Sequence, residues 1–311
     1  MSRVYVLFSS KIVRYVKFKG SMMTTQRQGE LYMIGLAFLE SWFPILSIVA
    51  ISHIGALHTY AFSLFVSLFF FVAIMIRKNL FVELTNKSAY RDLLLTSFWI
   101  TLLFVLVFLG MQFTTAGNMS VIIFMQVLFA YLYFNVFGDE KMDKIHTIGA
   151  IMMGVGALII LLPEELVLNK GDALIMIASA IAPIANFYSK KTRKHCSSET
   201  ILGFRTMVAL PVIMMMAWLI EPKVSYHDMY EALPYVLGIG LLVFGLSKIF
   251  WMEALHRIDI TKLSALLAII PVLTLLFAYL YLAEVPEVRQ LFGIVPVLLG
   301  GYLLTKPMKS L

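Results

Sequence analysis

The chain has 311 residues, of which 60% are hydrophobic and 14% are charged, and its formal net charge is +7 at pH 7. A soluble domain is about 45–50% apolar and about 25% charged, and an apolar core stops growing at roughly 250–300 residues. The composition therefore excludes an ordinary soluble protein and predicts a chain that faces lipid. The single cysteine, Cys196, excludes an intramolecular disulfide and a cysteine-rich metal site.

The first 28 residues are basic and lack the continuous apolar run of a signal peptide. This segment, 1–28, is predicted to be cytoplasmic, either as an amphipathic segment on the inner leaflet or as a tail. Ten apolar stretches follow, each close to the 17–25 residues that a spanning helix needs. The predicted spans are 31–51, 57–76, 93–111, 117–137, 146–162, 172–189, 201–220, 234–252, 262–282 and 289–305.

Lysine and arginine are concentrated in alternate connections between these spans. Arg77 and Lys78 follow the second span, and Lys190 and Lys191 follow the sixth. Basic loops stay in the cytoplasm, so ten spans place both termini there, including the tail 306–311. The positive charge therefore reports topology rather than a nucleic-acid partner. We expect a multi-pass protein of the cell (plasma or inner) membrane, with the lipid bilayer as its partner; a homodimer is left open.

The two halves of the chain align without a gap at an offset of 144 residues. The matched pairs are Ser120 with Ser264, Glu140 with Glu284, Gly149 with Gly293, and Gly156 with Gly300. Each half, 29–162 and 163–305, then holds five spans, and because five is odd the second copy enters the membrane upside down. The predicted fold is all-α, with ten transmembrane helices as two inverted five-helix repeats, a pattern typical of transporters. Chance similarity between apolar helices is the alternative.

Over about 29–305, the sequence resembles the drug/metabolite transporter superfamily, EamA type. That family has a proline in the fourth span of each repeat and a glutamate thirteen residues later, which Pro271 and Glu284 match. In the first half Glu140 matches, but Val127 replaces the proline. Arg205 matches a basic residue found early in the second helix of a repeat. The resemblance implies a central cavity lined mainly by spans 1, 3, 4, 6, 8 and 9, and it leaves the substrate open.

Glu40 is the leading candidate for a functional residue. It lies near the middle of the first span, where an acidic side chain costs about 2.5–3.5 kcal/mol on insertion scales. Pro44 has no N–H to offer the carbonyl of Glu40, so a carboxylate and a free carbonyl lie at one depth. We predict that Glu40 binds substrate or a coupling proton. The alternative is a carboxyl group that is protonated or paired to hold helices together.

Two other prolines are predicted to interrupt their spans. Pro183 lies in span 6, the inverted counterpart of span 1, and Pro271 lies in span 9. Interrupted helices at corresponding positions of two halves point to a binding site, and a packing kink is the alternative. Asn186, close to Pro183, and Gln126 in span 4 are predicted to bind substrate. Either amide could instead bond a neighbouring helix.

Aromatic and basic side chains supply the remaining candidates. Trp99, Tyr131 and Trp251 could each offer a π face to a cation, although most aromatic residues of such a chain form an interfacial belt or face lipid. Arg205 and Lys248 lie near the cytoplasmic ends of their spans, where snorkelling explains them without a function. No histidine or carboxylate spacing indicates a metal site, and no cofactor is expected.

These features favour a secondary active transporter that moves a small polar or cationic metabolite by alternating access, with a proton coupled at Glu40. No phosphate-binding Walker motif is present in the sequence. One alternative is a facilitator or channel, which would normally show a ring of polar side chains. An integral-membrane enzyme is a weaker alternative, because catalysis by carboxylates usually needs two and Glu40 is alone deep in a span. We therefore expect a protein that is not an enzyme.

Overall fold

The structure is a computed structural model, and its regular elements are helices wherever the chain is described. The described residues are 25–133, 144–161, 169–255, 257, 267 and 269–304. Several predicted features lie outside them: most of the basic segment 1–28, Glu140, Ser264 and the tail 306–311.

Helices occupy the described parts of all five spans predicted in the first half. They are α1 (Thr25–Ser41), α2 (Phe43–Ile54), α3 (Ala56–Lys78), α4 (Tyr90–Met111), α5 (Ala116–Phe124), α6 (Gln126–Tyr131) and α7 (Lys144–Leu161). Two short 3₁₀ helices, Leu80–Thr85 and Lys87–Ala89, connect α3 to α4.

The second half is also helical in its described residues. Its helices are α8 (Lys170–Thr192), α9 (Ser198–Ile220), α10 (Tyr226–Leu237), a π-helical stretch (Gly238–Leu246), α11 (Ser247–Leu255), α12 (Ile269–Leu282) and α13 (Val288–Leu304).

Six helical segments within the described residues are long and apolar enough to cross a membrane. They are Arg27–Ile54, Ala56–Lys78, Lys87–Met111, Lys170–Thr192, Ser198–Ile220 and Tyr226–Trp251. Three shorter apolar helices accompany them: Ala116–Tyr131, Ile269–Leu282 and Val288–Leu303. The chain is therefore a helical, multi-pass membrane protein, and the number of ten crossings stays a prediction.

The three prolines predicted to interrupt helices behave differently. The first predicted span is divided at Trp42, between α1 and α2, and Pro44 lies in the first turn of α2, where its missing N–H is tolerated. Pro183 lies inside α8, which continues unbroken to Thr192. The predicted interruption is thus absent there, because a single lost hydrogen bond does not end a helix whose buried small-residue face packs against α4. Pro271 lies close to the start of α12.

A π-helical stretch divides the eighth predicted span. Two of its glycines allow close contact with α3: a Cβ on Gly240 would lie 2.6 Å from that of Val66, and one on Gly245 would lie 3.0 Å from the ring of Phe70. π-helical turns change which face of a helix the following residues occupy, and they are frequent at functional sites. Here the stretch ends immediately before Ser247 and Lys248.

Basic helix ends lie together at one end of the bundle, which we call the basic end. It contains the last turn of α3 with Arg77 and Lys78, the last turn of α8 with Lys190 and Lys191, and the first turns of α4 and α9. Lys78 Nζ lies 2.6 Å from Glu199, and Lys191 Nζ lies 3.2 Å from Asp92. We call the other end, where α3 and α8 begin, the opposite end.

Helices α3 and α9 cap each other with carboxylates. At the opposite end Glu221, which follows α9, accepts hydrogen bonds from the N–H groups of Leu57 and His58 at 2.8 and 2.9 Å. At the basic end Glu83, which follows α3, accepts one from the Ser197 N–H at 2.7 Å. Burial alone would raise the pKa of Glu83, but hydrogen bonds from Thr200 and Ser197 outweigh it and hold that pKa below its usual value. A carboxylate at each helix start also complements the helix dipole.

Helices α7 and α13 make an equally reciprocal contact through glycines of the two halves. A Cβ on Gly156 would lie 2.7 Å from the carbonyl oxygen of Gly293, and one on Gly300 would lie 2.5 Å from that of Gly149. Gly149 aligns with Gly293, and Gly156 aligns with Gly300, so exchanging the two halves converts one contact into the other. The four glycines bring the two backbones together, as small residues do in membrane helices.

Adding one methyl group at this contact should loosen the α7–α13 pair. Gly156→Ala would place its Cβ 2.7 Å from the Gly293 oxygen and 2.9 Å from the Val297 nitrogen, so backbone must move, at a cost of about 1–3 kcal/mol. Gly154→Ala, two residues earlier, meets nothing within 4 Å and is the matched control. Thermal unfolding in detergent should show a lower midpoint for Gly156→Ala only. Equal midpoints for the two variants would contradict the close packing.

Candidate functional site

A cavity of about 290 Å³ lies inside the bundle. Its walls come from α1, α2, α4, α5, α6, α8, α9, α11, the start of α12 and Leu267. All six spans that the resemblance implies contribute side chains, and span 7, here α9, contributes as well. Most of the lining is apolar, with a few polar and charged side chains, which is typical of small-molecule sites.

Glu40 is held in the wall of this cavity by two residues of α11. Its carboxylate lies 2.6 Å from Lys248 Nζ and accepts a hydrogen bond from the Ser247 hydroxyl. The Glu40 and Lys248 side chains are 19% and 24% exposed, so the ion pair is neither fully buried nor at the surface. Lys248 therefore does not extend towards water by snorkelling. It forms an ion pair with Glu40 of α1, as charged residues inside a membrane commonly do with one another.

The structure brings four of the six predicted substrate-binding residues to the cavity. Glu40, Gln126, Asn186 and Trp251 all line it, as does Pro44. The other two predicted residues are not among the described lining residues.

Trp99 lies on the flank of α4, where it contacts Phe98, whereas the α4 residues that face the cavity begin at Ile100. Tyr131 is buried and stacks on His146 of α7, with ring centroids 5.4 Å apart.

Arg205 is the most unusual residue of the cavity wall. Its side chain is carried by the second turn of α9, and the residue is only 2% exposed. Snorkelling does not describe it, because a snorkelling guanidinium would reach water. The guanidinium carbon lies 5.7 Å from the centroid of the Phe104 ring, and the Nε and Nη2 atoms have no hydrogen-bond partner among the described residues.

A polar cluster lies at the opposite end, formed by the half-buried Glu284 and the buried side chains of Asn118, Asp172 and Gln290. The Glu284 carboxylate accepts hydrogen bonds from the N–H groups of Ala116 (3.1 Å) and Gly117 (3.0 Å), at the start of α5. Asn118 accepts a hydrogen bond from Gln290 at 2.7 Å and donates one to Asp172 at 3.2 Å. The polar cluster therefore joins α5, α8, α13 and the residues after α12.

Helix α8 shows how the cavity and the polar cluster are placed relative to each other. Asp172, in its first turn, belongs to the polar cluster at the opposite end. Asn186, Ser189 and Arg193, towards its other end, line the cavity, as does Ser198 at the start of α9. The cavity thus extends towards the basic end, and the polar cluster bridges helices beyond it at the opposite end.

Sequence reasoning missed three features of this site: the pairing of Lys248 with Glu40, the cavity position of Arg205, and the caps made by Glu221 and Glu284. A usable signal existed for the first, because an acid and a base inside separate spans usually pair. The carboxylate caps depend on contacts between residues more than 160 positions apart, for which a single sequence carries no local signal.

No group of three or more His, Cys, Asp or Glu side chains able to hold a metal occurs among the described residues. The described lining supplies an ion pair, two guanidinium groups, serine hydroxyls, two amides and an indole ring.

Comparison with known proteins relates both halves of the chain to one family. The model of the EamA-like transporter family matches twice, at residues 27–162 and 169–306. The uncharacterized transporter YoaV of Bacillus subtilis is 27% identical over 200 residues, which cover 63% of this chain and 68% of the relative. An uncharacterized transporter of Archaeoglobus fulgidus is 24% identical over 213 residues, covering 66% and 72%.

A solved crystal structure has the same fold. It superimposes with a TM-score of 0.66 at 14% sequence identity, covering 89% of this chain and 96% of the other. The likeness in fold extends through both matched halves.

Proposed function

This chain belongs to the EamA-like transporter family, and we propose that it is a secondary active transporter that moves a small polar metabolite across a cell membrane by alternating access. The observation that supports the mechanism is the cavity, which extends towards the basic end, while the polar cluster joins three helices and the residues after α12 at the opposite end. The relatives are named as transporters, which favours transport over catalysis as the function.

We propose that the chain crosses the membrane ten times as two inverted five-helix repeats. Two matches to one family model support the repeat. The reciprocal glycine contact of α7 with α13 and the reciprocal carboxylate caps of α3 and α9 support a two-fold relation between the halves. With the positive-inside rule, the basic end is cytoplasmic and both termini lie on that side of the plasma or inner membrane.

We propose that in this orientation the cavity, which extends towards the basic end, faces the cytoplasm. The polar cluster closes the outer side, and its hydrogen bonds must break for the cavity to open there. Since equivalent contacts can form at either end of two inverted repeats, an exchange of conformation between the halves would expose the same site to the other side.

The proposed coupling ion is a proton at Glu40. Its support is geometric: Glu40 lines the cavity at the break between α1 and α2 and pairs with Lys248 on α11. Protonation of Glu40 would release Lys248 and uncouple these two helices. Vesicle transport by Glu40→Gln should therefore lose its dependence on a pH gradient; unchanged dependence with a folded protein would exclude Glu40 from coupling.

The function itself is tested in liposomes. A thermal-shift screen of the purified protein against metabolites first identifies a ligand, since ligands that bind only the folded form raise its melting temperature. Counterflow of that ligand, labelled, into liposomes preloaded with the unlabelled compound should then be saturable. Flux that rises linearly with concentration and shows no counterflow would support a channel instead.

A further inference from the structure

Arg205 places a buried positive charge in the cavity wall without a hydrogen-bonded counter-charge among the described residues. The residue is 2% exposed, and its Nε and Nη2 atoms are buried without a hydrogen-bond partner among the described residues. A buried charge that lacks a counter-charge is strongly unfavourable. The face of Phe104, 5.7 Å away, offsets only part of this cost, since a cation–π contact contributes about 0.5–2 kcal/mol.

The two unpartnered nitrogens have a specific geometry. Nε and Nη2 lie on the same edge of the guanidinium group, and their N–H bonds point in parallel. This edge matches the two oxygens of a carboxylate or the paired oxygens of a phosphate, which arginine binds through two hydrogen bonds at once. The unpartnered donors are therefore suited to an oxyanion and not to a second cation. Both nitrogens are covered in this structure, so an oxyanion reaches them only when neighbouring side chains of the cavity wall shift.

The remaining charges of the cavity are compatible with the same ligand. Arg193 and Lys248 also line it, and Glu40 is the single carboxylate among its described lining residues. That carboxylate is already engaged by Lys248 at 2.6 Å and by Ser247. Lys248 is thus neutralised by Glu40, and Glu199 lies close enough to Arg193 to oppose its charge. The charge of Arg205 remains, and it attracts an anionic group and repels a cationic one.

Arg205 also breaks the symmetry between the two halves. Arg205 lies at the same distance from the N-cap of α9, Ser197, as Ser63 lies from the N-cap of α3, Gly55. Ser63 is therefore its counterpart, and it is fully buried and carries no charge. The cation is therefore not a packing requirement of both repeats, and it supplies one anion site rather than two.

We propose that the transported metabolite carries a carboxylate or phosphate group that binds to Arg205, and that its apolar part lies along the apolar walls formed by residues such as Phe104, Ile201 and Leu103. The cavity's volume of about 290 Å³ limits this metabolite to a small molecule. Calling the ligand a substrate depends on the proposed transport function, whereas the anion site does not.

The test measures the melting temperature of the purified protein with matched compounds at constant ionic strength. The probes are sodium monocarboxylates from acetate to 4-phenylbutyrate, the corresponding primary amides, and phosphate monoesters of similar size. At saturating concentration at least one anion should raise the melting temperature by about 2–4 °C, and its amide should not. A response to carboxylates alone, or to phosphates alone, identifies the source of the oxyanion.

Two variants separate anion binding from a structural role. Without ligand, Arg205→Gln should melt at the same temperature as the native protein or higher, because an unpaired buried charge has been removed, and it should lose the anion response. Arg205→Lys keeps the charge but not the paired donors, so its affinity should fall at least about tenfold. Arg77→Gln, the same change at an exposed arginine, should respond like the native protein.

The inference is overturned if no anion shifts the melting temperature of the native protein, if amides shift it equally, or if Arg205→Gln keeps the anion response. If Arg205→Gln fails to fold, the comparison of anions with amides on the native protein still shows whether the protein binds an anionic group. If an anion binds but does not cross the liposome membrane, the proposed transport function is rejected and the anion site at Arg205 is retained. If only neutral compounds show saturable flux, the anion site is rejected and the transport function is retained.

Discussion

Replacing Lys248 with methionine is expected to lower the free energy of unfolding by about 2–3 kcal/mol. The change leaves Glu40 in the cavity wall without its counter-charge, and stranding one member of a fully buried pair costs about 3–5 kcal/mol. We expect a smaller effect because Glu40 and Lys248 are 19% and 24% exposed. Glu40→Gln alone should be destabilising for the same reason, since it strands the ammonium group.

The double variant Glu40→Gln/Lys248→Met is the informative control. Removing both charges should restore much of the stability lost in either single variant, and the difference gives the coupling energy of the pair. Thermal unfolding of the four proteins in one detergent completes the cycle. If the single effects simply add, the two side chains do not interact, and the assignment of Glu40 as a paired residue fails.

Replacing Glu284 with glutamine should open the outer side of the cavity. The native carboxylate accepts two hydrogen bonds from backbone N–H groups at the start of α5. Hydrogen bonds to a charged group contribute about 1.5–3 kcal/mol, and the negative charge also complements the dipole of α5. Glutamine has a single acceptor oxygen and no charge, so at least one of these contacts is lost.

The reaction rate of a cysteine placed in the cavity wall measures whether the outer side has opened. Ser120, on α5, lines the cavity and is 2% exposed. A cysteine there, in a Cys196→Ser background, should react with an impermeant thiol reagent from the outer side at least about tenfold faster in Glu284→Gln than in the native sequence. Glu287→Gln is the matched control, because Glu287 is exposed and pairs only with Arg289 among the described contacts of its side chain. Equal acceleration by both variants would mean that Glu284 does not hold the outer side closed.

The sequence predicted a helical, multi-pass membrane protein correctly, because lipid imposes a simple rule on composition. Long apolar stretches and segregated basic residues gave helices at the predicted places and brought Arg77, Lys78, Lys190 and Lys191 to one end of the bundle. The glycines that align between the halves also lie in contact, Gly156 with Gly293 and Gly300 with Gly149, although the alignment predicted a repeat and not these contacts. These features are periodic or repeated along the chain, so a single sequence can reveal them.

The charged part of the site was harder to predict because its meaning depends on three-dimensional pairing. Arg205 and Lys248 looked alike as basic residues near helix ends. In the structure Lys248 pairs with Glu40, whereas Arg205 has two vacant donors. Pro44 and Pro183 looked alike as helix breakers, yet only the helix around Pro44 is divided. Contacts with neighbouring helices determine whether a basic residue is paired and whether a helix is divided at its proline. The residues close in sequence carry no information about those contacts.

Side-specific labelling of Asn186→Cys tests most directly whether the cavity opens to one side at a time. Asn186 is exposed within the cavity lining, and in a Cys196→Ser background its replacement supplies the reactive thiol. Tyr226→Cys, 99% exposed at the opposite end, marks the outer side. An impermeant maleimide should label Asn186→Cys in inside-out vesicles and spare it in right-side-out ones, with the reverse for Tyr226→Cys. Labelling of Asn186→Cys at similar rates from both sides would reveal a continuous pore and contradict alternating access.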